Sequence, residues 1–363
     1  MMKLILKIFT AALIYFSAAL LQERAICADA SMPAGEPVSE VDDDSFRPGL
    51  LPFAASLFPG AVLHGSGHFA AGDRDTAYRL LAAEAAGAGM FIGGLGALAL
   101  TGAGEKSSPP AIIISVTGVS LFFISWASDI YGSSGGTGGL PAAPGRFTFE
   151  AGITRVEDPL FLYKNLFRAD ASAWYEKWRI SLEHLRALDD DNHYTRTVMC
   201  RRLAGAASGS SAADGSFIEA AAAGSYHHYG SEYFDLYTAE FFFAGRYDLA
   251  RFSRSLRGSF TGASLGYGLG IYEYDVPGYV FGEDKNDMLL MRFEYGIYIG
   301  RGSGEAALFY DHRRDTYAGG LKGGFMGFAG ISTEYFFNEN SGISGELMYG
   351  TALVINISLK FRG

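Results

Sequence analysis

From residue 146 to its end the chain keeps a period of two. Leu289, Met291, Phe293, Tyr295, Ile297 and Ile299 take alternate places, opposed by Arg292, Glu294, Gly296 and Tyr298. The closing stretch TALVINISLKFRG does the same, with Leu353, Ile355, Ile357, Leu359 and Phe361 set against Asn356, Ser358 and Lys360. Successive side chains of a strand point to opposite faces, so each such segment has one greasy side and one polar side. The scheme recurs from Phe147 to Thr154, from Ser264 to Ile271 and from Ala329 to Phe337, with turn residues between the runs. It predicts a mainly β unit over residues 146–363.

A soluble sheet with one wet face also alternates, so strand length and the place of the charges decide between the two. The apolar faces run about nine to eleven residues, the span of a tilted membrane strand. Tyr and Phe gather near strand ends, as in EYFDLYTAEFFF, GIYEYDV and STEYFFN, where interfacial girdles would lie. Charged residues are 19% of the chain, below the roughly 25% of a soluble domain, while glycine (48 residues) and aromatics (14%) are high. The opposite faces carry Arg292, Glu294, Glu334, Asn356 and Lys360, which suits a hydrated interior. On these residues the stretch 146–363 resembles the bacterial outer-membrane β-barrel class. The resemblance implies an antiparallel up-and-down transmembrane barrel of ten to twelve strands, seated in a lipid bilayer. It also implies delivery by the barrel-insertion machinery through the terminal aromatic Phe361, which here precedes Arg362 and Gly363. Two stretches resist assignment. SAWYEKWRISLEHLRAL puts Trp174, Trp178, Leu182 and Leu185 on a helical stripe as well as on a strand, and GRYDLARFSRSL fits either a strand or a partly helical piece.

The other end of the chain reads as an export signal. Lys3 and Lys7 precede an apolar run from Ile8 to Leu21, and Ala28-Asp29-Ala30 is a small-residue cleavage site before Ser31. Lipidation at Cys27 is the competing reading, against which Arg24 stands where a leucine-like residue belongs. This expects a protein of the outer membrane of a Gram-negative bacterium, with a signal peptide over 1–30 and a polar linker over 31–49. With Cys27 removed, Cys200 has no partner for a disulfide.

Residues 50–131 form a helical region in which Ala77–Thr101 and Pro110–Trp126 are each about long enough to cross a bilayer. GAGEKSSPP separates them, and the small residues of the first favour close packing as a helical hairpin. A Gly-rich linker, 132–145, leads on to the strands. Gly65, Phe69, Gly72, Trp126 and Asp129 make this region similar to two-helix membrane domains of the TM2 type over about a fifth of the chain; the similarity implies a helical hairpin and no activity.

The net charge of −10 leaves no basic face for a phosphate backbone, so nucleic acid is not an expected partner. His64 and His68, followed by Asp73, Asp75 and Glu84, have metal-ligand spacing. Gly65 and Gly67 break the helix that spacing needs, and a turn capped by Asp73 or Asp75 accounts for the residues without a metal. No cofactor is expected. His227 and His228 near Ser231, and Asp311 beside His312, are hydrolytic candidates; strand neighbours point to opposite faces, which leaves a Ser/His/acid site to be built from different strands. Arg292 and Glu294 share a face and pair naturally with Glu334 and Lys360, either as a salt-bridged plug or as a charged constriction. The functional expectation is a structural role or a narrow solute pathway through a charged lumen. The alternatives are a barrel enzyme acting on lipids and a surface binding module using loops around Tyr279, Phe281 and Tyr317.

Overall fold

The computed structural model describes residues 46–363 except 103, 105–107, 137, 143–144, 159–163, 206–213, 232, 275–283, 301, 313–326 and 351; the signal segment and Cys27 lie outside the described residues. Four helices come first: α1 (Leu50–Leu57), α2 (Ser66–Ala71), α3 (Arg74–Thr101) and α4 (Ser108–Ser133). Twelve strands follow: β1 (Phe147–Glu157), β2 (Asn165–Tyr175), β3 (Trp178–Ala187), β4 (Asn192–Gly205), β5 (Phe217–Tyr229), β6 (Phe234–Asp248), β7 (Ser259–Tyr274), β8 (Asp284–Ile299), β9 (Gly304–Asp311), β10 (Phe328–Phe336), β11 (Ser341–Tyr349) and β12 (Leu353–Arg362). Each strand pairs with its neighbours in sequence, and β1 pairs with β12, so the sheet is a closed up-and-down barrel.

All the pairings are antiparallel, and the closing one runs from Thr148↔Arg362 to Glu157↔Leu353. That register puts Phe149 opposite Phe361 and Ile153 opposite Ile357 on the outer wall. Both chain termini of the barrel therefore lie at one end, called the terminus end below; the loops after β1, β3, β5, β7, β9 and β11 mark the other, or loop, end. At the terminus end the exposed outer aromatics Phe147, Phe149, Tyr335, Phe337, Phe361, Tyr175 and Trp178 form a band on adjoining strands. Between the ends the outer wall presents exposed Ile153, Ile180, Leu182, Leu308, Ile331, Leu347, Ile357 and Leu359. This is the outer face that a barrel offers to hydrocarbon.

The two ambiguous stretches are resolved by their neighbours. SAWYEKWRISLEHLRAL is the hairpin of β2 and β3, turning at Glu176 with φ 53°, and Trp178 and Leu182 face outward while Leu185 is buried in the lumen. GRYDLARFSRSL finishes β6 and then makes two short 3-10 turns, Leu249–Arg251 and Arg254–Leu256. Strands β4 to β8 reach 13 to 16 residues, longer than the nine to eleven read from the pattern, so one side of the barrel is taller.

The helical region stands against that taller side. Asp73 caps α3 by accepting the Thr76 N–H at 3.1 Å, and these hydrogen bonds outweigh the effect of its burial and hold its carboxyl below the usual range. Helix α4 continues past Trp126 to Ser133, so the first residues of the Gly-rich stretch are helical. Helices α3 and α4 pack along each other where both are glycine: a Cβ on Gly118 would come within 2.6 Å of the Gly87 carbonyl and 2.5 Å of the Phe91 nitrogen. The C-terminal half of α4 then meets the barrel. Ile124, Ala127 and Tyr131 pack with Tyr247, Leu249, Leu256, Tyr295 and Ile297, and the Tyr131 hydroxyl donates to the Arg257 carbonyl at 2.9 Å. From the other helix, Thr76 bonds Ser253, and Arg79 donates to the Phe252 carbonyl at 2.5 Å while lying over its ring. The connection from β6 to β7 is thus gripped by both helices. Gly118→Leu should separate α3 from α4 and leave the barrel intact: limited proteolysis should newly cut within 74–133, while the gel shift between boiled and unboiled protein persists.

Candidate functional site: the lumen

Inside the barrel the polar face of each strand meets those of all the others. Arg246 is held bidentately by Glu305 (2.7 and 3.0 Å) and lies 3.3 Å from Glu294. Arg292 lies 3.6 Å from both Glu294 and Asp311. Glu219 receives Arg179 at 2.9 Å and Arg202 at 3.5 Å; Arg168 is shared between Asp170 (2.5 Å) and Glu183 (3.3 Å); Arg196 pairs with Glu240 and Lys360 with Glu334. Guanidinium planes also lie on rings, Arg246 on Phe260 (3.8 Å), Arg292 on Phe309 (4.0 Å) and Arg202 on Phe217 (4.0 Å). Such stacking covers the weakly hydrated faces of arginine and leaves its edge for carboxylates.

The residues singled out from the sequence fall into three groups. Arg292 and Glu294 belong to the cluster with Arg246, Lys360 and Glu334 form a separate pair, and Asn356 accepts from Ser358 (3.1 Å) and Thr154 (3.4 Å). The charges expected to form one ladder are therefore two groups. Between them lies a chamber of about 170 Å³ lined by Glu150, Arg168, Glu305, Glu334, Glu346 and Lys360, with Ser332, Ser344 and Asn356. Four glutamates face one arginine and one lysine there, so the chamber is net negative. Arg246 and Glu305, paired through two hydrogen bonds, escaped the sequence reading although both sit on polar faces of alternating strands.

Toward the loop end the lumen changes character. Every strand except β8 adds at least one residue to a single buried apolar cluster, including Val156, Leu166, Leu185, Tyr194, Tyr229, Phe234, Tyr272, Phe309, Phe328, Met348 and Val354, none more than 8% exposed. At the same level, Asn192 and His227 bond at 2.9 Å, and His227 stacks on Tyr229 at 3.8 Å. A wetted channel wall would expose these side chains. Instead a dry layer closes the bore.

The hydrolytic candidates do not assemble. Ser231 donates to Asp190 at 2.5 Å, His227 turns inward to Asn192, and His228 pairs with Asp235 at 2.6 Å. Asp311 faces Arg292, and the His312 ring bonds Tyr310 at 2.8 Å. Within the helical region His64 and Ser125 do meet, at 2.6 Å. Ser125, however, donates its proton to the Phe122 carbonyl at 2.8 Å, so the ring must donate to the serine and cannot act as its base. The His64 N–H is received by Glu84 at 2.8 Å, and burial holds the ring below its ordinary pKa against the pull of Glu84 and Asp129. His68 is fully buried with its Nδ1 2.6 Å from Asp129, whose carboxylate also receives the Gly67 and His68 N–H groups at 3.1 Å and so caps α2. Trp126 donates to the Ser56 carbonyl at 3.0 Å and Phe69 stacks edge-on to Tyr78. His64, His68 and Asp129 are structural clamps, and among the described residues no group of three or more His, Cys, Asp or Glu is placed to hold a metal.

Strand order, closure and the apolar outer wall define the class: a twelve-stranded up-and-down barrel of the outer-membrane type. No family model and no curated protein matches the chain. Among solved structures the barrel is similar to the KdgM porin in complex with disordered oligogalacturonate (9% identity, 60% of this chain and 99% of that chain, TM-score 0.39) and to the NanC porin (8%, 59% and 100%, 0.39). It is also similar to Omp33 of Acinetobacter baumannii (10%, 61% and 100%, 0.33).

Removing Arg246 would leave Glu305 without its cation and Glu294 with Arg292 alone, at a cost of about 3 kcal/mol. Arg246→Ala should lower the temperature at which the folded barrel band converts to the unfolded one, and adding Glu305→Gln should recover part of the loss.

Proposed function

We propose that the protein is a closed barrel of the Gram-negative outer membrane, exported by its N-terminal signal, with a structural role: it seats the helical pair at the terminus end of the barrel. The observation that carries this reading is the dry apolar layer across the bore. Eight-stranded barrels are filled by their own side chains and sixteen-stranded ones leave an aqueous channel; a twelve-stranded barrel lies between, so the side chains inside it decide, and here they are apolar and buried at the loop end. The docking of α4 on Tyr295 and Ile297, and of α3 on the β6–β7 connection, supports the seating part of the role.

The net-negative chamber favours a second reading, a narrow pathway for small cations that is shut at the apolar layer. Planar-bilayer recording separates the two. The structural reading expects no unitary openings from the unaltered protein at any holding potential, whereas Tyr229→Ala combined with Phe234→Ala should open a small, cation-preferring conductance. Openings in the unaltered protein with the same preference would overturn the structural reading in favour of the pathway. The lipid-enzyme alternative has no supporting Ser–His–acid arrangement among the described residues, and the loop residues Tyr279, Phe281 and Tyr317 of the binding-module alternative lie outside them. Outer-membrane fractionation with a boiling-dependent gel shift is the expected result for location.

A further inference from the structure

Residues 48–72 contain no Asp, Glu, Lys or Arg, yet they are not a membrane-spanning helix. They fold into α1, a turn and α2, and one side of this unit is packed. Pro52 and Ser56 of α1 are buried, Ser56 receives Trp126, and the backbone of α2 is tied to Asp129. The opposite side of α1 is wholly apolar and bare: Leu50 is 84% exposed, Leu51 75% and Phe58 83%, and Val62 in the following turn is 71% exposed. On a helical wheel Leu50, Leu51, Ala54 and Leu57 fall on the arc away from Pro52 and Ser56, and Phe58 follows as the extended residue that ends the helix. Water does not tolerate an apolar face this continuous without a partner.

We propose that this face is an in-plane membrane foot, immersed among the lipid acyl chains of the leaflet at the terminus end of the barrel. The inference rests on the outer-membrane reading above. Three observations select lipid as the occupant. First, the foot is continuous with surfaces already assigned to lipid. It packs on the part of α4 between Ser125 and Ser133 that also docks on β8, at the end of the barrel where Phe149, Tyr335 and Phe361 form the aromatic band. Second, the neighbouring residues are graded as at an interface. The Phe69–Tyr78 pair, with ring centroids 5.1 Å apart, lies beside it, and the charged groups Arg47, Asp73, Arg74 and Asp75 bracket it in sequence. Third, the chain just before it, with Glu36, Glu40, Asp42, Asp43 and Asp44, is acidic and complements nothing on an uncharged apolar face. A short helix that presents only Leu, Ala and Phe outward, and keeps its few polar atoms on its docked side, lies in the boundary plane rather than across it.

The test uses the full chain with Cys27→Ser and Cys200→Ser, reconstituted in phosphatidylcholine/phosphatidylethanolamine vesicles. An environment-sensitive fluorophore is placed by Phe58→Cys, by Ile357→Cys on the outer barrel wall, or by Asp75→Cys. Lipids brominated on their acyl chains should quench the probes at positions 58 and 357 at least twofold and leave the one at position 75 nearly unchanged. Quenching at 357 without quenching at 58 overturns the foot while keeping the barrel in its bilayer; disulfide crosslinking between two copies of the unlabelled Phe58→Cys variant would in that case assign the face to a second copy of this chain. Quenching at neither site overturns the outer-membrane reading and the foot with it.

Discussion

The structure depends on one closure, the ladder between β1 and β12. In hydrocarbon an unpaired backbone N–H or C=O costs several kcal/mol, because no water replaces the missing partner. An open sheet of twelve strands would expose two such edges along their whole length. Joining Thr148–Glu157 to Leu353–Arg362 removes both at once. Closure also converts the period-two pattern into an inside and an outside: the same ladder that sets Ile153 beside Ile357 in the outer wall sets Thr154 beside Asn356 in the lumen. The alternation of the last thirteen residues is the signature of that wall, greasy toward lipid and polar toward the bore.

Once the sheet is closed, the lumen has to satisfy every polar group that the inward face carries. A charge in this confined space is screened poorly, so an arginine without a carboxylate would be expensive. The observed solution is local: arginines lie within reach of glutamates on neighbouring or nearby strands, several with a ring against the guanidinium face. The excess of carboxylates around Glu150 and Glu346 is left where the bore still has volume, next to the chamber. At the loop end charge pairing gives way to Tyr, Phe, Leu and Val, whose rings and aliphatic groups fill the bore by packing on one another.

This division explains what could be read from the sequence. Where one face is lipid and the other hydrated, as from Ile355 to Phe361, alternation is visible and the inward residues can be named one by one. Where both faces are apolar it vanishes: Leu353, Val354 and Ile355 are consecutive, and nothing in that triplet says that Val354 points into a dry layer. The layer is therefore illegible in the sequence, although every strand but β8 contributes to it. The pairing of Arg246 with Glu305 was hidden for another reason. It joins β6 to β9, three strands further round the wall, and distances between such strands depend on strand number and stagger, which a sequence pattern does not fix. The Trp174–Leu185 stretch shows the converse, a helical stripe overridden because the strands on either side offer a complete ladder.

A barrel bound for the outer membrane is poorly served by helices that stop in the inner one, and α3 and α4 are both long and apolar enough to do so. Their polar residues temper that hazard. Glu84 lies within α3 and Asp129 within α4, and each carboxylate raises the free energy of its helix as a lone span in hydrocarbon. In the folded unit the same groups are compensated, Glu84 by the His64 N–H and Asp129 by His68 and the N-terminus of α2. The compensating residues all come from the uncharged segment before α3. Glycines dilute the rest of α3, lowering its affinity for lipid while allowing α4 to approach at Gly118. Each helix thus carries an uncompensated carboxylate as a lone span and a satisfied one in the assembly, a combination that favours packing of the unit against the wall of β8 over separate insertion of its helices.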